Sequence, residues 1–194
     1  PHLRRDRSEI HAFRDGRLED SQVIAKQLIP MRMLVCASND YARLHGLPTS
    51  VEDLALHACI NQRLPNGRLQ TWDFKVDGIA RSVTPASAIV VNDPSLAMQA
   101  VLEGQGLAQL AAYQVCDALR AGLAVTCLNA LGPDDRGHYL CYLTRQQLPK
   151  RIRVFIDFMT TGIRALDLDC SFLLGSRHPA PPVPGADKRQ GVAA

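Results

Sequence analysis

The sequence predicts an α/β fold of the open-sheet kind. Three observations carry that expectation. The stretch from Val90 to Val115 reads as strand end, helix, tight turn, strand and helix start. Short apolar runs bounded by Gly, Pro and Asp alternate with helical patterns along the chain. A single apolar stripe at helical spacing then follows Pro149. In sheets of this class ligands sit at the carboxyl ends of strands, beside helix N-termini.

The 194 residues are enough for one well-buried domain or two small lobes. With 46% hydrophobic and 21% charged residues, the composition is that of an ordinary globular protein. A net charge of +3 is too mild for a nucleic-acid face, which clusters its basic residues. Arg4, Arg5 and Arg7 form a short basic start, read as solvated. Six cysteines, at positions 36, 59, 116, 127, 141 and 170, include no C-x-x-C pair. Five of them lie in apolar segments. Reduced core thiols and a cytoplasmic location are therefore expected. No signal peptide and no bilayer-spanning run is present, so no membrane association is expected.

Taken in order, His11 to Arg14 reads as a strand end and Asp15-Gly16 as a turn. Val23 to Leu28 is moderately apolar. Met31 to Ala37 is a clearer strand, with Leu34, Val35 and Cys36 suggesting burial on both faces. Asp40 to Leu44 is a short helix broken by Gly46 and Pro48. Thr49 or Ser50 caps another, with Asp53 in its first turn. His57 to Ile60 leads into a strand. His57 and Cys59 read as a hydrogen-bonded His beside a buried Cys, because no second ligand pair completes a metal site.

Trp72, Phe74 and Val76 alternate, as do Ile79, Arg81 and Val83, and Asp77-Gly78 stands between them. That is a β-hairpin with a two-residue turn, in which Trp72 packs. Asp93 caps the helix of the central stretch, and Pro94 fits its first position, where no N–H is needed. Leu96, Ala97, Ala100 and Val101 give that helix its apolar face, and Gly104 suits its left-handed end. Leu107 to Leu110 has the length of a buried parallel strand. Tyr113 to Leu119 is a helix closed by Gly122. Leu123 to Leu128 and Tyr139 to Leu143 are strands, separated by a loop around Gly132 to Asp135. In the last helix, Ile152, Phe155, Ile156, Met159 and Ile163 make the stripe, and Lys150, Arg151 and Arg153 its wet face. From about Ser176 the Pro- and Gly-rich sequence predicts a disordered tail.

No G-x-S-x-G elbow, H-E-x-x-H, P-loop or dinucleotide fingerprint occurs. Ser38, His57 and Asp93 have no setting that supports a triad. No enzyme activity, cofactor or metal is expected.

An ordered set of segments carries a resemblance: FRDGRLEDSQVIAKQL, RMLVCASNDYARLHGLPTSVEDLALHACI, TWDF-x3-G, NDPSLAMQAVLEGQGLAQL and YLCYLTRQQLPKRIRVFIDFM. From about Phe13 to Leu166 the chain resembles the effector-binding part of a LysR-type transcriptional regulator. The resemblance implies a type 2 periplasmic-binding-protein-like fold, with two α/β lobes joined by two crossover strands. It divides the chain into a remnant of lobe one with the first crossover (1–38), lobe two (39–137), the second crossover with the lobe-one C-terminal helix (138–167), and a tail (168–194). Met31 to Ala37 and Tyr139 to Leu143 would be the crossovers. The first strand–helix units of lobe one have no counterpart here, so lobe one is expected to be incomplete. The family's N-terminal helix-turn-helix has none either, so DNA would be reached only indirectly. Asn39 and Ala111 stand where the family often has Pro.

The implied partner is a small organic acid or aromatic effector held between the lobes, with a second copy or a full-length relative as protein partner. Candidate effector residues are Asn92, Asp93, Pro94 and Ser95 at the helix start, with Ser38, Gln109 and Tyr113 as polar or packing contacts. Arg14 and Arg63 would pair with a carboxylate. The alternatives are a fragment that only oligomerises with full-length relatives and, further off, a small hydrolase.

Overall fold

A computed structural model describes residues 10–16, 24–133, 136–142, 150–166 and 168. The basic start, Asp134-Asp135, Pro149, Cys170 and the Pro-rich tail lie outside these. The described elements run β1 (Ile10–Gly16), β2 (Ile24–Pro30), β3 (Met33–Ser38), α1 (Asn39–His45), a 3-10 turn (Glu52–Leu56), β4 (Cys59–Gln62), β5 (Trp72–Val76), β6 (Ile79–Val83), β7 (Ser87–Val91), α2 (Pro94–Leu102), β8 (Ala108–Ala111), α3 (Ala112–Arg120), β9 (Ala124–Cys127), a 3-10 turn (Asn129–Leu131), β10 (Gly137–Tyr142) and α4 (Lys150–Ala165).

Two sheet systems divide these strands. The first has the order β1-β10-β2, both pairs antiparallel. The second centres on β3, which lies between β8 and β9, antiparallel to both. All six residues of β3 are buried, as its unbroken apolar run dictates. β4 and β7 pair in parallel. A single parallel bridge, Cys59 to Leu107, joins that pair to the second system, with Ile60 N–H donating to Leu107 O (2.7 Å) and Leu107 N–H to Ala58 O (2.9 Å). At this joint Gly106 has φ +152°, and a Cβ there would lie 2.4 Å from Ala58 O. Only glycine fits so close an approach.

One face of the second system packs Trp72 and Phe74 of the hairpin on Val35, Leu107 and Cys127. The other packs Ala97 and Val101 of α2 and Val115 of α3 on Cys36, Ile60 and Leu110. The hairpin turns at Asp77 (φ 51°) and Gly78 (φ 78°), the pair of left-handed residues that a tight two-residue turn needs. Trp72 is 1% exposed, so it packs as expected. His57 Nδ1 lies 3.2 Å from Tyr41 Oη, and Cys59 is buried, as expected of a hydrogen-bonded His beside a buried Cys. In α4, Ile156 is buried while Phe155 and Phe158 are exposed.

Four expectations change. Asp15 and Gly16 do not form a turn; they end β1 opposite His138 and Gly137, because pairing with β10 keeps the chain extended. The segment after Ser50 is a 3-10 turn rather than an α-helix, although Ser50 Oγ accepts from Asp53 N–H and Asp53 Oδ2 accepts from Thr49 and Ser50 N–H as capping requires. β8 is buried, yet it is parallel only to β4 and antiparallel to β3, its main partner. The strand expected from Met31 begins at Met33, since Pro30 to Arg32 connect the two sheet systems.

Candidate functional site

Strand direction defines one edge. β4, β7 and β8 are parallel in sense, so Gln62, Val91 and Ala111 all end on the same side of the second sheet. Met33 pairs with Ala111, so β3 enters from that side, directly after the connector. Two helices start there, α2 after Asp93 and α3 after Ala111.

The two starts differ in charge. Asp93 Oδ1 accepts from Ser95 N–H (2.7 Å), and Pro94 takes the first helical position. Bonding to the Ser95 N–H holds the Asp93 carboxyl below its usual pKa, so it is ionised and offsets the positive end of α2. No side chain of the preceding Ala111 caps α3. Gln114 Oε1 instead reaches back to Ala111 N–H (3.0 Å), and Ala112 N–H donates to Arg32 O (2.8 Å) on the connector. Partial positive charge is therefore less compensated at α3 than at α2.

The sheets meet at this edge. Tyr113 Oη, in the first turn of α3, lies 2.9 Å from His138 Nε2 on β10 of the first sheet, with the rings edge to face at 5.4 Å. The connectors themselves touch: Met31 N–H donates to Arg136 O at 3.0 Å. Arg136 also forms an ion pair with Asp73 of the hairpin.

Asn92, Asp93, Pro94, Ser95 and Tyr113 thus share one edge. Arg63 joins them, since its N–H donates to Val91 O (2.7 Å), while its guanidinium bonds Gly67 O (3.0 Å). Arg14 sits in β1 opposite Tyr139. Two candidates are placed elsewhere or engaged. Ser38 ends β3 at the opposite end from Met33, where its Oγ accepts from Tyr41 N–H (3.2 Å) and starts α1. Gln109 is 3% exposed and spends both ends of its amide on the Asp73 backbone. Sequence reasoning missed His138 and Arg136. Each meets a partner far away in the chain, and no spacing rule flags such a pair.

Two α/β sheet systems joined by adjacent connectors, with helix N-termini on the facing edge, define a type 2 periplasmic-binding-protein-like ligand-binding fold. The family model "LysR substrate binding domain" matches residues 11–164. The chain belongs to that family, whose members are transcriptional regulators rather than enzymes.

Among relatives, it is 31% identical over 151 residues to the HTH-type transcriptional regulator CrgA of Neisseria meningitidis serogroup C, covering 76% of this chain and 49% of CrgA. It is 27% identical over 149 residues to the transcriptional activator AaeR of Escherichia coli K12, covering 76% of this chain and 48% of AaeR. The chain spans about half the length of these relatives. Among solved structures, the regulatory domain of CrgA superposes with a TM-score of 0.60 at 27% identity, covering 78% of this chain and 74% of that one. The regulatory domain of AphB from Vibrio vulnificus gives 0.63 at 25% identity, covering 77% and 73%.

Proposed function

We propose that this chain is the sensing module of a LysR-type regulator and binds a small organic acid or aromatic molecule between two lobes. Residues 1–38 would be a remnant of lobe one with the first crossover, 39–137 would be lobe two, and 138–167 would be the second crossover with the lobe-one C-terminal helix. The Tyr113–His138 contact is the observation that supports this reading most, because it sets the start of α3 against β10 of the other sheet system. An effector carboxylate would approach the α3 start, beside Tyr113 and His138. The ionised Asp93 suits a hydroxyl or amine on the effector rather than its acid group, and Asn92, Ser95 and Arg63 flank it. Closure on the effector would shift a two-state equilibrium. A DNA-binding head, on the same polypeptide or on a partner, would read that shift out.

Thermal-shift screening against organic acids and aromatics tests this. A ligand at about 100 times its Kd stabilises by roughly 2.7 kcal/mol. A Tyr113→Phe change should weaken such a ligand, whereas absence of any ligand-dependent shift across the screen overturns the reading.

One observation favours a second role, association with another copy or a full-length relative. On α4, Phe158 is 72% exposed and Val154 58% exposed, an apolar surface a partner would cover. Light scattering of the wild type and of Phe158→Glu would separate the two roles.

A further inference from the structure

Of the five asparagines in the chain, only Asn66 is followed by glycine. The other four stand before Asp40, Gln62, Asp93 and Ala130, whose side chains crowd the backbone nitrogen that follows each asparagine. Asn61 is also 1% exposed within β4. Gly67 carries no such shield. Nothing lies within 4 Å of the point where its Cβ would stand, and every residue from Arg63 to Arg68 is exposed.

Asn66 sits in a small turn. Leu64 N–H donates to Arg68 O (2.8 Å), and Gly67 N–H donates back to Leu64 O (2.8 Å). Arg68 N–H donates to Asn66 Oδ1 (3.0 Å). That last bond polarises the side-chain carbonyl, and it is placed to stabilise negative charge building on Oδ1 when Cγ is attacked. The Gly67 bond opposes attack, because the nitrogen must leave Leu64 O and lose its proton first. In an exposed turn such local opening costs little. Glycine, here at φ +81°, adds a backbone freedom that other residues lack.

We propose that Asn66 is a site of deamidation, a covalent modification that changes the charge of this turn. The deprotonated Gly67 nitrogen attacks Asn66 Cγ. The N–Cγ bond forms, the Cγ–Nδ2 bond breaks, and the amide nitrogen takes a proton from water and leaves as ammonia. The product is a five-membered succinimide. Water then opens the ring, giving aspartate by attack at Cγ or isoaspartate by attack at the backbone carbonyl. Either product is a carboxylate, so the formal net charge falls from +3 to +2. The new charge arises between Arg68 and Arg63, whose guanidinium already bonds Gly67 O (3.0 Å). Arg63 N–H in turn donates to Val91 O, just before Asn92 and Asp93 at the α2 start. The reaction therefore adds negative charge beside that edge. The modification itself does not depend on the sensing reading.

Incubating the whole folded chain at pH 7 and at pH 9, followed by peptide mass mapping, tests the site. The peptide carrying Asn66 should become about 1 Da heavier. Its rate should rise with pH, because the deprotonated nitrogen is the nucleophile. Peptides carrying Asn39, Asn61, Asn92 and Asn129 should react roughly tenfold or more slowly. Ion exchange should resolve a species one charge more acidic, and Asn66→Gln, which would need a larger ring, should abolish it. Labelling by an isoaspartyl methyltransferase should fall on the same peptide. Asn66 unchanged in the folded chain but reacting in denaturant, a rate no faster than that of the other asparagines, or an acidic species that persists in Asn66→Gln would each overturn the proposal.

Discussion

Gln109 holds Asp73 by both of its backbone polar groups. Asp73 N–H donates to Gln109 Oε1 at 3.0 Å, and Gln109 Nε2 donates to Asp73 O at 3.0 Å. A side chain thus replaces the strand neighbour that β5 lacks on that side, and it fastens the hairpin to β8 at the middle of the sheet. Since Asp73 also pairs with Arg136, the same residue links the hairpin to the second connector.

Replacing Gln109 by Leu keeps the volume but strands the N–H and C=O of Asp73. Each buried group left unpaired costs about 1–3 kcal/mol, so a loss of roughly 3 kcal/mol is expected. Urea unfolding should show a lower midpoint at unchanged slope. A change below about 0.5 kcal/mol would mean that water satisfies Asp73 and that the amide is not a fastener.

Gly106→Ala puts a methyl carbon 2.4 Å from Ala58 O, at a φ of +152° that side chains rarely adopt. The bridge between Cys59 and Leu107 must open to admit it, at a cost on the order of 1–3 kcal/mol. Hydrogen exchange should report the site of damage. The amides of Ile60 and Leu107 should lose protection first, and uniform loss across the chain would argue against a local joint.

Asp93→Ala removes the α2 cap and should lower the melting temperature. It also deletes the negative charge that offsets this helix end. On the interlobe reading, a carboxylate effector gains affinity in this variant and an amine-bearing one loses it. Paired titrations with both kinds of ligand would decide whether the α2 start faces the effector.

Acidification acts through His57. Its pKa is lowered by desolvation and then by the charge of His45, with Asp53 opposing. Tyr41 Oη accepts from Ala58 N–H (3.1 Å) and lies 3.2 Å from His57 Nδ1, a contact in which a neutral ring can accept the Tyr41 proton. The unfolded chain binds the proton more readily, so stability is full above pH 6.5 and declines as pH falls through the lower folded value. Melting temperatures measured from pH 7.5 to pH 5 should drop more in the wild type than in His57→Gln; parallel curves would show that the ring is not the titrating group. Asp53 acts in stronger acid. Its carboxyl is held down to about 2 from 3.8 by the Thr49 and Ser50 N–H groups, so its share persists above 3.8 and disappears toward 2.

The buried thiols should resist modification. Burial raises Cys36 and Cys127 to about 12 and Cys59 to about 11, far from the thiolate range at neutral pH. A thiol reagent at pH 8 should leave these three unlabelled in native protein and reach them in denaturant, as peptide mass mapping would show. Prompt native labelling of Cys36 would mean that the β3 core opens readily.

Local chemistry was legible in the sequence. Asp77-Gly78 between two alternating runs could only be a tight hairpin, and Asp93-Pro94 could only start a helix. Periodicity also separated α3 and α4 from the strands around them. Pairing direction was not legible, because an apolar run such as Leu107 to Leu110 looks the same beside a parallel or an antiparallel neighbour. The site was legible in part for the same reason. Asn92 to Ser95 announce a helix start wherever they occur, but nothing near Gln109 says that its amide is consumed by a residue 36 positions earlier. Ser38 follows an apolar run in the sequence, and only the direction of β3 reveals which end of the sheet it occupies.

The paired connectors limit how the two halves can move. Met31 of the first connector and Arg136 of the second are stitched together by a backbone hydrogen bond. Sliding or pulling apart would have to break that stitch and the Tyr113–His138 contact at once, whereas swivelling about the line of the two strands asks only for small torsional changes in a handful of backbone bonds. On the sensing reading proposed above, the change passed on would be an angle, and the residues flanking the stitch would set its rest position.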